Sequence, residues 1–150
     1  MTDIQLRQLQ DRAALRDLVT TYSIAIDDHD FTTLEQVFTP DALYGRDDDS
    51  PRLVGAVAIA QSMREKLEGA PPSFHVNHDH LVTFDPVDAD RATGIVQCHA
   101  ETSHFEGHKI AAIRYYDSYR RGAAGWQISE RRLRFIYFVA AKDYPGCLLR

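Results

Sequence analysis

Cysteine is scarce: Cys98 and Cys147 are the only two. Neither belongs to a CxxC pair or to a metal-ligand spacing, so no disulfide framework or zinc site is expected, and reduced thiols in a cytoplasmic protein are the default. Long hydrophobic runs are missing as well. No apolar stretch approaches the length of a membrane span, and the opening residues, MTDIQLRQLQDRAALRDL, lack the apolar segment of a secretion signal. A membrane is not an expected partner. Basic charge is not concentrated anywhere. The 17 Lys and Arg are outnumbered by 22 Asp and Glu, for a net charge of -5, and the runs at Arg120-Arg121 and Arg131-Arg132-x-Arg134 are short. Nucleic acid binding needs a concentrated basic face and is excluded. No GxGxxG nucleotide signature occurs, so a cofactor-free chemistry is expected. Repeats, low-complexity tracts and linkers are absent too. The 150 residues suffice for one proper core, and a single domain over residues 1–150 is expected.

What is present is an ordinary globular balance, 44% hydrophobic and 26% charged, arranged in two patterns. Leu6, Leu9, Ala13, Leu15, Leu18, Val19, Tyr22 and Ile26 recur at helical spacing with no Gly or Pro among them, predicting a helix over residues 4–28. Asp30 is a fitting N-cap for a short helix over 31–38, which the Thr39-Pro40-Asp41 segment ends. An extended piece over 42–45 leads into a polar loop over 46–52. A third helix is predicted over 56–67, stopping at Gly69 before Pro71-Pro72. Beyond Pro72 the period becomes two. Residues 74–84, 91–102, 109–121 and 126–139 read as long strands separated by turn-rich segments. Connections this short favour an antiparallel meander, and helices followed by a curved sheet make an α+β fold with room for an enclosed pocket.

Against that frame several landmarks resemble a known family. Tyr22 and Asp27, followed by Asp30 and Phe31, resemble the end of the first helix in SnoaL-like proteins of the nuclear transport factor 2-like superfamily. Phe38-Thr-Pro-Asp41-Ala resembles their next landmark, and His75 with Asp79 and Phe84 their histidine-bearing strand. Tyr115-x-Asp117-x-Tyr119-x-Arg121, then Trp126 and Arg131, is similar to their last two strands. The similarity spans residues 5–138. It implies a cone-shaped α+β barrel, N-terminal helices on a curved, mostly antiparallel sheet around a pocket. The nearest branch holds scytalone dehydratase, gamma-hexachlorocyclohexane dehydrochlorinase and bile acid 7α-dehydratase. The resemblance implies Asp27 and His75 as an elimination pair, Tyr22 at a tyrosine or lysine position of that branch, Arg131 at a site arginine, and His99, or next His104, as the acid for the leaving group. Homo-oligomers, dimers or trimers, are also implied.

The residues have their own chemistry. Asp27 follows the apolar Ile24, Ala25 and Ile26, where a carboxylate is costly unless paired. An imidazole would stabilise it and be fixed in one tautomer by it, leaving the other ring nitrogen basic. Capping of the helix end beside Asp28 and Asp30 is the plainer alternative. Tyr22 precedes Asp27 by five residues, about 140° around a helix, so both could border one broad pocket. Regular alternation sets His75 on one face with Asn77, Asp79, Leu81 and Thr83, and Val76, His78, His80 and Val82 on the other. The cluster of His75, His78, Asp79 and His80 also suggests a metal, but no fourth ligand is evident and none is expected. In the next strand the small residues Ala92, Gly94, Val96, Cys98 and Ala100 share the face helices would press, leaving His99 to a pocket or a subunit interface. Arg131 alternates with Leu133, Phe135 and Tyr137, away from Trp126, and needs an acidic partner or an anionic substrate group. Asp117 reads first as structural. For the tail bearing Tyr137, Phe138 and Tyr144, closure of the pocket mouth is implied by the resemblance alone and by nothing in its composition. Together these readings point to a cofactor-independent lyase or isomerase acting on a small, cyclic, hydrophobic molecule. The alternatives are a noncatalytic binding protein and a polyketide cyclase or hydrolase using Asp27 alone.

Overall fold

A computed structural model describes residues 2–104 and 107–144, with Ser103 and His104 as backbone only. Helix α1, Asp3–Asp27, begins with a capping box in which Thr2 Oγ1 accepts from the Gln5 amide and Gln5 Oε1 from the Thr2 amide. Its buried residues, Leu15, Val19, Tyr22, Ala25 and Ile26, keep the predicted three- and four-residue spacing. Leu6 and Leu9 do not follow: both are exposed, Leu9 at the wall of a groove between α1 and residues 77–82. The helix closes with a Schellman motif. The His29 amide donates to the Ile26 carbonyl, the Asp30 amide to that of Ala25, and His29 takes the left-handed conformation, φ 57°.

Asp30 then caps α2, Phe31–Val37, by accepting from the Thr33 amide at 3.0 Å. The chain turns straight into β1, Phe38–Arg46, which is longer than the extended piece expected and includes Pro40. A two-residue strand β2, Leu53–Val54, pairs antiparallel with β1 before α3, Ala56–Leu67. Four long strands follow: β3, Phe74–Phe84; β4, Arg91–His104; β5, Gly107–Gly122; and β6, Gly125–Ala140. A short 3-10 turn, Ala141–Asp143, ends the described chain.

The sheet order is β2-β1-β6-β5-β4-β3. β3 to β6 form the expected antiparallel meander, but β1 adds parallel to β6, giving a mixed sheet. It does not close on itself, and β3 is left as an edge strand. The three helices pack on one face. Leu15, Val19, Leu34 and Ile59 from the helices meet Phe38, Val96, Tyr115 and Ile128 from the strands in one core, each such buried side chain contributing about 1.5–3 kcal/mol. Asp11 fixes the first half of α1 by accepting from Trp126 Nε1 at 2.9 Å and pairing with Arg121. Among the described residues no helix is long and apolar enough to cross a membrane.

Three β-bulges decide which side chains reach the core. In β3 the pairings Asn77 with Cys98 and His80 with Val96 leave one extra residue between them. Asn77 and His80 therefore both face the helices, while His78 and Asp79 stay exposed. This corrects the regular alternation of the sequence reading, which put His80 and Val82 opposite His75. In β6 extra residues fall at Ser129 and Ile136. The first brings Trp126 onto the same face as Arg131, and the second turns Tyr137 away from it, both reversals of the predicted faces.

Candidate functional site

Asp27 closes α1 and His75 stands second in β3, 48 residues later, yet the fold sets them in direct contact. The Pro71-Pro72 segment delivers Ser73 and His75 to the end of α1. The carboxylate accepts three hydrogen bonds: His75 Nδ1 at 2.6 Å and Ser73 Oγ at 2.9 Å to Oδ1, and the His75 amide at 2.8 Å to Oδ2. β3 is an edge strand, so the His75 amide has no strand beside it on that side, and the carboxylate satisfies it. Both side chains are nearly buried. Burial pushes the Asp27 carboxyl up, but the bonds from the His75 ring, the His75 amide and Ser73 together hold it below its ordinary 3.8. An ionised carboxylate only accepts, so Nδ1 carries a proton, and the second ring nitrogen, Nε2, is the position left for proton exchange. Below them Asn77 Nδ2 donates to Ser23 Oγ at 2.9 Å, tying β3 to α1.

A second buried cluster surrounds Arg131. Its guanidinium is fully buried and donates from Nε to Asp117 Oδ1 at 2.8 Å and from Nη2 to Oδ2 at 2.6 Å, a bidentate pair. Burial disfavours its charge, and Asp117 more than offsets that, so the group stays a cation. The charge lies between two aromatic faces, 4.1 Å from the ring centre of Tyr22 and 4.3 Å from that of Tyr115. Tyr22 and Tyr44 share a hydrogen bond at 3.1 Å between their hydroxyls. Burial raises both phenols, with Arg131 pulling the other way, so both keep their protons, one donating and the other accepting in the bond they share. Arg131 Nη1 is buried and has no hydrogen-bond partner among the described residues. Cys98 connects the clusters: its thiol is raised by burial and feels the charges of both Arg131 and Asp27.

The SnoaL-like domain family matches residues 7–132. The chain belongs to that family. Uncharacterized proteins of Mycobacterium tuberculosis and Mycobacterium bovis are 30% identical to it over 138 residues, covering 85% of this chain and 87% of theirs. Among solved structures, a type 2 hexachlorocyclohexane dehydrochlorinase superposes with a TM-score of 0.80 at 22% identity, covering 90% of this chain and 91% of that one. A Novosphingobium aromaticivorans protein provisionally assigned as a scytalone dehydratase superposes at 0.79 with 18% identity, covering 90% of each chain. At these identities the structural likeness establishes the fold alone.

Of the residues this SnoaL-like sequence singled out, Asp27 and His75 meet, and Tyr22 and Arg131 meet in the neighbouring cluster. His99 joins neither. It pairs with Val76 and Ala112 in the ladder, one step from the inward Ala100, and so lies on the far face of the sheet. There its ring is 6.4 Å from that of Tyr144, which also lies 5.9 Å from Tyr137. Tyr137 and Tyr144 thus pack beside His99, not over the helix-facing side. The side chain of His104 and all of Cys147 lie outside the described residues. Arg131 has its acidic partner in Asp117, the structural pairing left open by the sequence. Ser73 and Tyr44 were missed, and Tyr115 was named only as a landmark of its strand. Tyr44 joins the cluster because β1 runs parallel to β6 and sets Tyr44 opposite Arg131, and no local pattern announces such a pairing.

Proposed function

We propose that this SnoaL-like protein is a cofactor-independent lyase that removes a proton from carbon and expels a neighbouring leaving group. The substrate is a small, cyclic, mostly apolar molecule, and dehydration of a hydroxylated ketone is the most specific form of the reading. The bond between His75 Nδ1 and Asp27 carries it, because that bond leaves Nε2 unprotonated and aims a base fixed at both ends. His75 Nε2 takes the proton beside the carbonyl, the C–H electron pair becomes the new C=C bond, and the C–O bond breaks. The departing hydroxide leaves as water with a proton from the Tyr22 phenol, which the imidazolium afterwards replaces. Arg131 Nη1, the uncommitted donor of a cation held in the core, stabilises the negative charge that develops on the carbonyl oxygen. His99 has no part in this scheme.

The fold of the dehydrochlorinase and dehydratase neighbours supports the class of chemistry, and the polar pair beside an aromatic-lined cation supports the roles. The test is water loss from a panel of cyclic hydroxyketones, followed by enone absorbance, in wild type, His75→Ala and Asp27→Ala. A loss of roughly 10²–10⁴-fold in both variants fits a dyad. If His75→Ala retains most of the rate while Asp27→Ala does not, the protein is a cyclase- or hydrolase-type member using Asp27 alone. Saturable binding with no turnover in wild type makes it a binding protein.

A further inference from the structure

His80, half-buried behind the bulge of β3, has no role in the scheme above. Its Nε2 lies 2.9 Å from the Tyr119 hydroxyl, and that hydroxyl donates to Asp117 Oδ2 at 2.8 Å. Asp117 is the carboxylate that grips Arg131. Counting protons fixes every direction along this row. The carboxylate only accepts, so the single phenolic proton of Tyr119 goes to Asp117. The Tyr119 oxygen must then accept, and His80 must donate from Nε2. His80 is thereby held as the Nε2–H tautomer, with Nδ1 left as its site of protonation.

The backbone is cut to fit this contact. Gly94 of β4 lies beneath it, and a Cβ there would stand 2.7 Å from Tyr119 Oη and Cε2 and 2.9 Å from His80 Nε2. Tyr119 is 1% exposed and has nowhere to retreat. Any side chain at position 94 would part the histidine from the phenol. The outer end of the row opens to water: His80 lines a groove of about 460 Å³ between α1 and β3.

We propose that His80 is a positioning residue for Arg131, the row His80–Tyr119–Asp117–Arg131 carrying the protonation state of a histidine in the edge groove to the guanidinium in the core. A proton added at Nδ1 leaves the Nε2–H in place and makes it a stronger donor. Tyr119 then donates more strongly to Asp117, which withdraws negative charge from Arg131 and alters how firmly the guanidinium is held. The charged and titratable groups facing His80 are Tyr119 and Asp117 from β5, Arg131 from β6 and Arg12 from α1, with Arg16 of α1 and His78 and Asp79 of its own strand across the groove. β4 contributes the uncharged Gly94 and Val96. The functional consequence rests on the proposed role of Arg131, whereas the coupling itself is read without substrate, so failure of one is distinguishable from failure of the other.

The experiment is an NMR titration of the ¹⁵N-labelled full chain, following the His80 ring nitrogens and the Arg131 Nε–H. The expected result is an Nε2–H tautomer at His80 and an Arg131 resonance that shifts with the same midpoint as His80. In Tyr119→Phe, which keeps the buried ring, His80 should still titrate and Arg131 should cease to follow. Gly94→Ala should uncouple the two while leaving all four members in place. His80→Gln, whose amide can still donate to Tyr119, should keep the wild-type Arg131 resonance and lose its pH dependence. An Nδ1–H tautomer at His80 overturns the proposal, as does an Arg131 resonance that does not follow His80 in wild type or follows pH equally in Tyr119→Phe.

Discussion

Asp27 and Arg131 carry opposite charges into the same core and are made tolerable in different ways. Asp27 is satisfied by three local donors, Arg131 by one bidentate carboxylate and two aromatic faces. The Arg131–Asp117 pair is fully buried on both sides, so removing one member strands a charge. Asp117→Leu should lower stability by about 3–5 kcal/mol, and Asp117→Leu with Arg131→Met should recover most of that, because an apolar pair of similar volume need not be desolvated. Urea denaturation of both variants against wild type reads the difference. A double variant as unstable as the single one would mean that the pair contributes more than mutual neutralisation. Tyr22→Phe removes a buried hydroxyl bonded to Tyr44 and should cost about 1 kcal/mol by the same measurement, while lowering any elimination rate if the phenol supplies the leaving group's proton.

Elements explain why some of this was legible and some was not. The helical spacing of Leu15, Val19, Tyr22 and Ile26 and the cap at Asp30 are local signals, and the structure has them where the sequence puts them. The period-two strands are local as well. A β-bulge is not, since one extra residue leaves composition untouched while exchanging the faces of everything beyond it. That is why the faces of His80, Trp126 and Tyr137 were misread while those of Ala92 to Ala100 were not: the extra residue in the β3–β4 ladder sits on β3, and the β4–β5 ladder is regular. The parallel pairing of β1 with β6 joins residues some 90 apart and leaves no trace in either segment, which hid Tyr44. The Asp27–His75 contact was reached through resemblance, because nothing in the spacing of 48 residues requires it. The entry to α3 gives one test at this scale. Gly55 has φ 95° and ψ 142°, a region that side chains rarely enter, and a Cβ would meet the Pro40 carbonyl oxygen at 3.1 Å. Gly55→Ala should destabilise by roughly 1–3 kcal/mol, measured as a lowered urea midpoint with unchanged slope. A neutral result would mean that the β2–α3 junction can rearrange.

At the scale of the molecule, α1 is clamped to the sheet at both ends: Asp11 to Trp126 and Arg121, Asp27 to His75 and Ser73. Asp27 and His80 each make stability fall in acid, in sequence, His80 through the cost of burying its cation while its Nε2–H bond to Tyr119 persists. Burial lowers the His80 pKa below its ordinary 6.5, so the unfolded chain takes up this proton first. Its contribution to stability is complete above that value and falls as pH drops toward the folded pKa. Asp27 is lowered below 3.8, so its contribution is complete above the unfolded value and is lost as pH falls through the folded one. Stability should therefore decline in two stages, one beginning near pH 6.5 and one below pH 4, as read by urea midpoints across that range. His80→Gln should remove the first stage and leave the second. The central claim, that Asp27 holds His75 as a base ready at Nε2, is tested most directly by long-range ¹H–¹⁵N NMR of the His75 ring at neutral pH. Wild type should show the Nδ1–H tautomer. Asp27→Asn should lose it, because the new amide can donate to Nδ1 and favours a proton on Nε2. A wild-type ring protonated at Nε2, or one whose tautomer is indifferent to Asp27→Asn, would contradict the dyad.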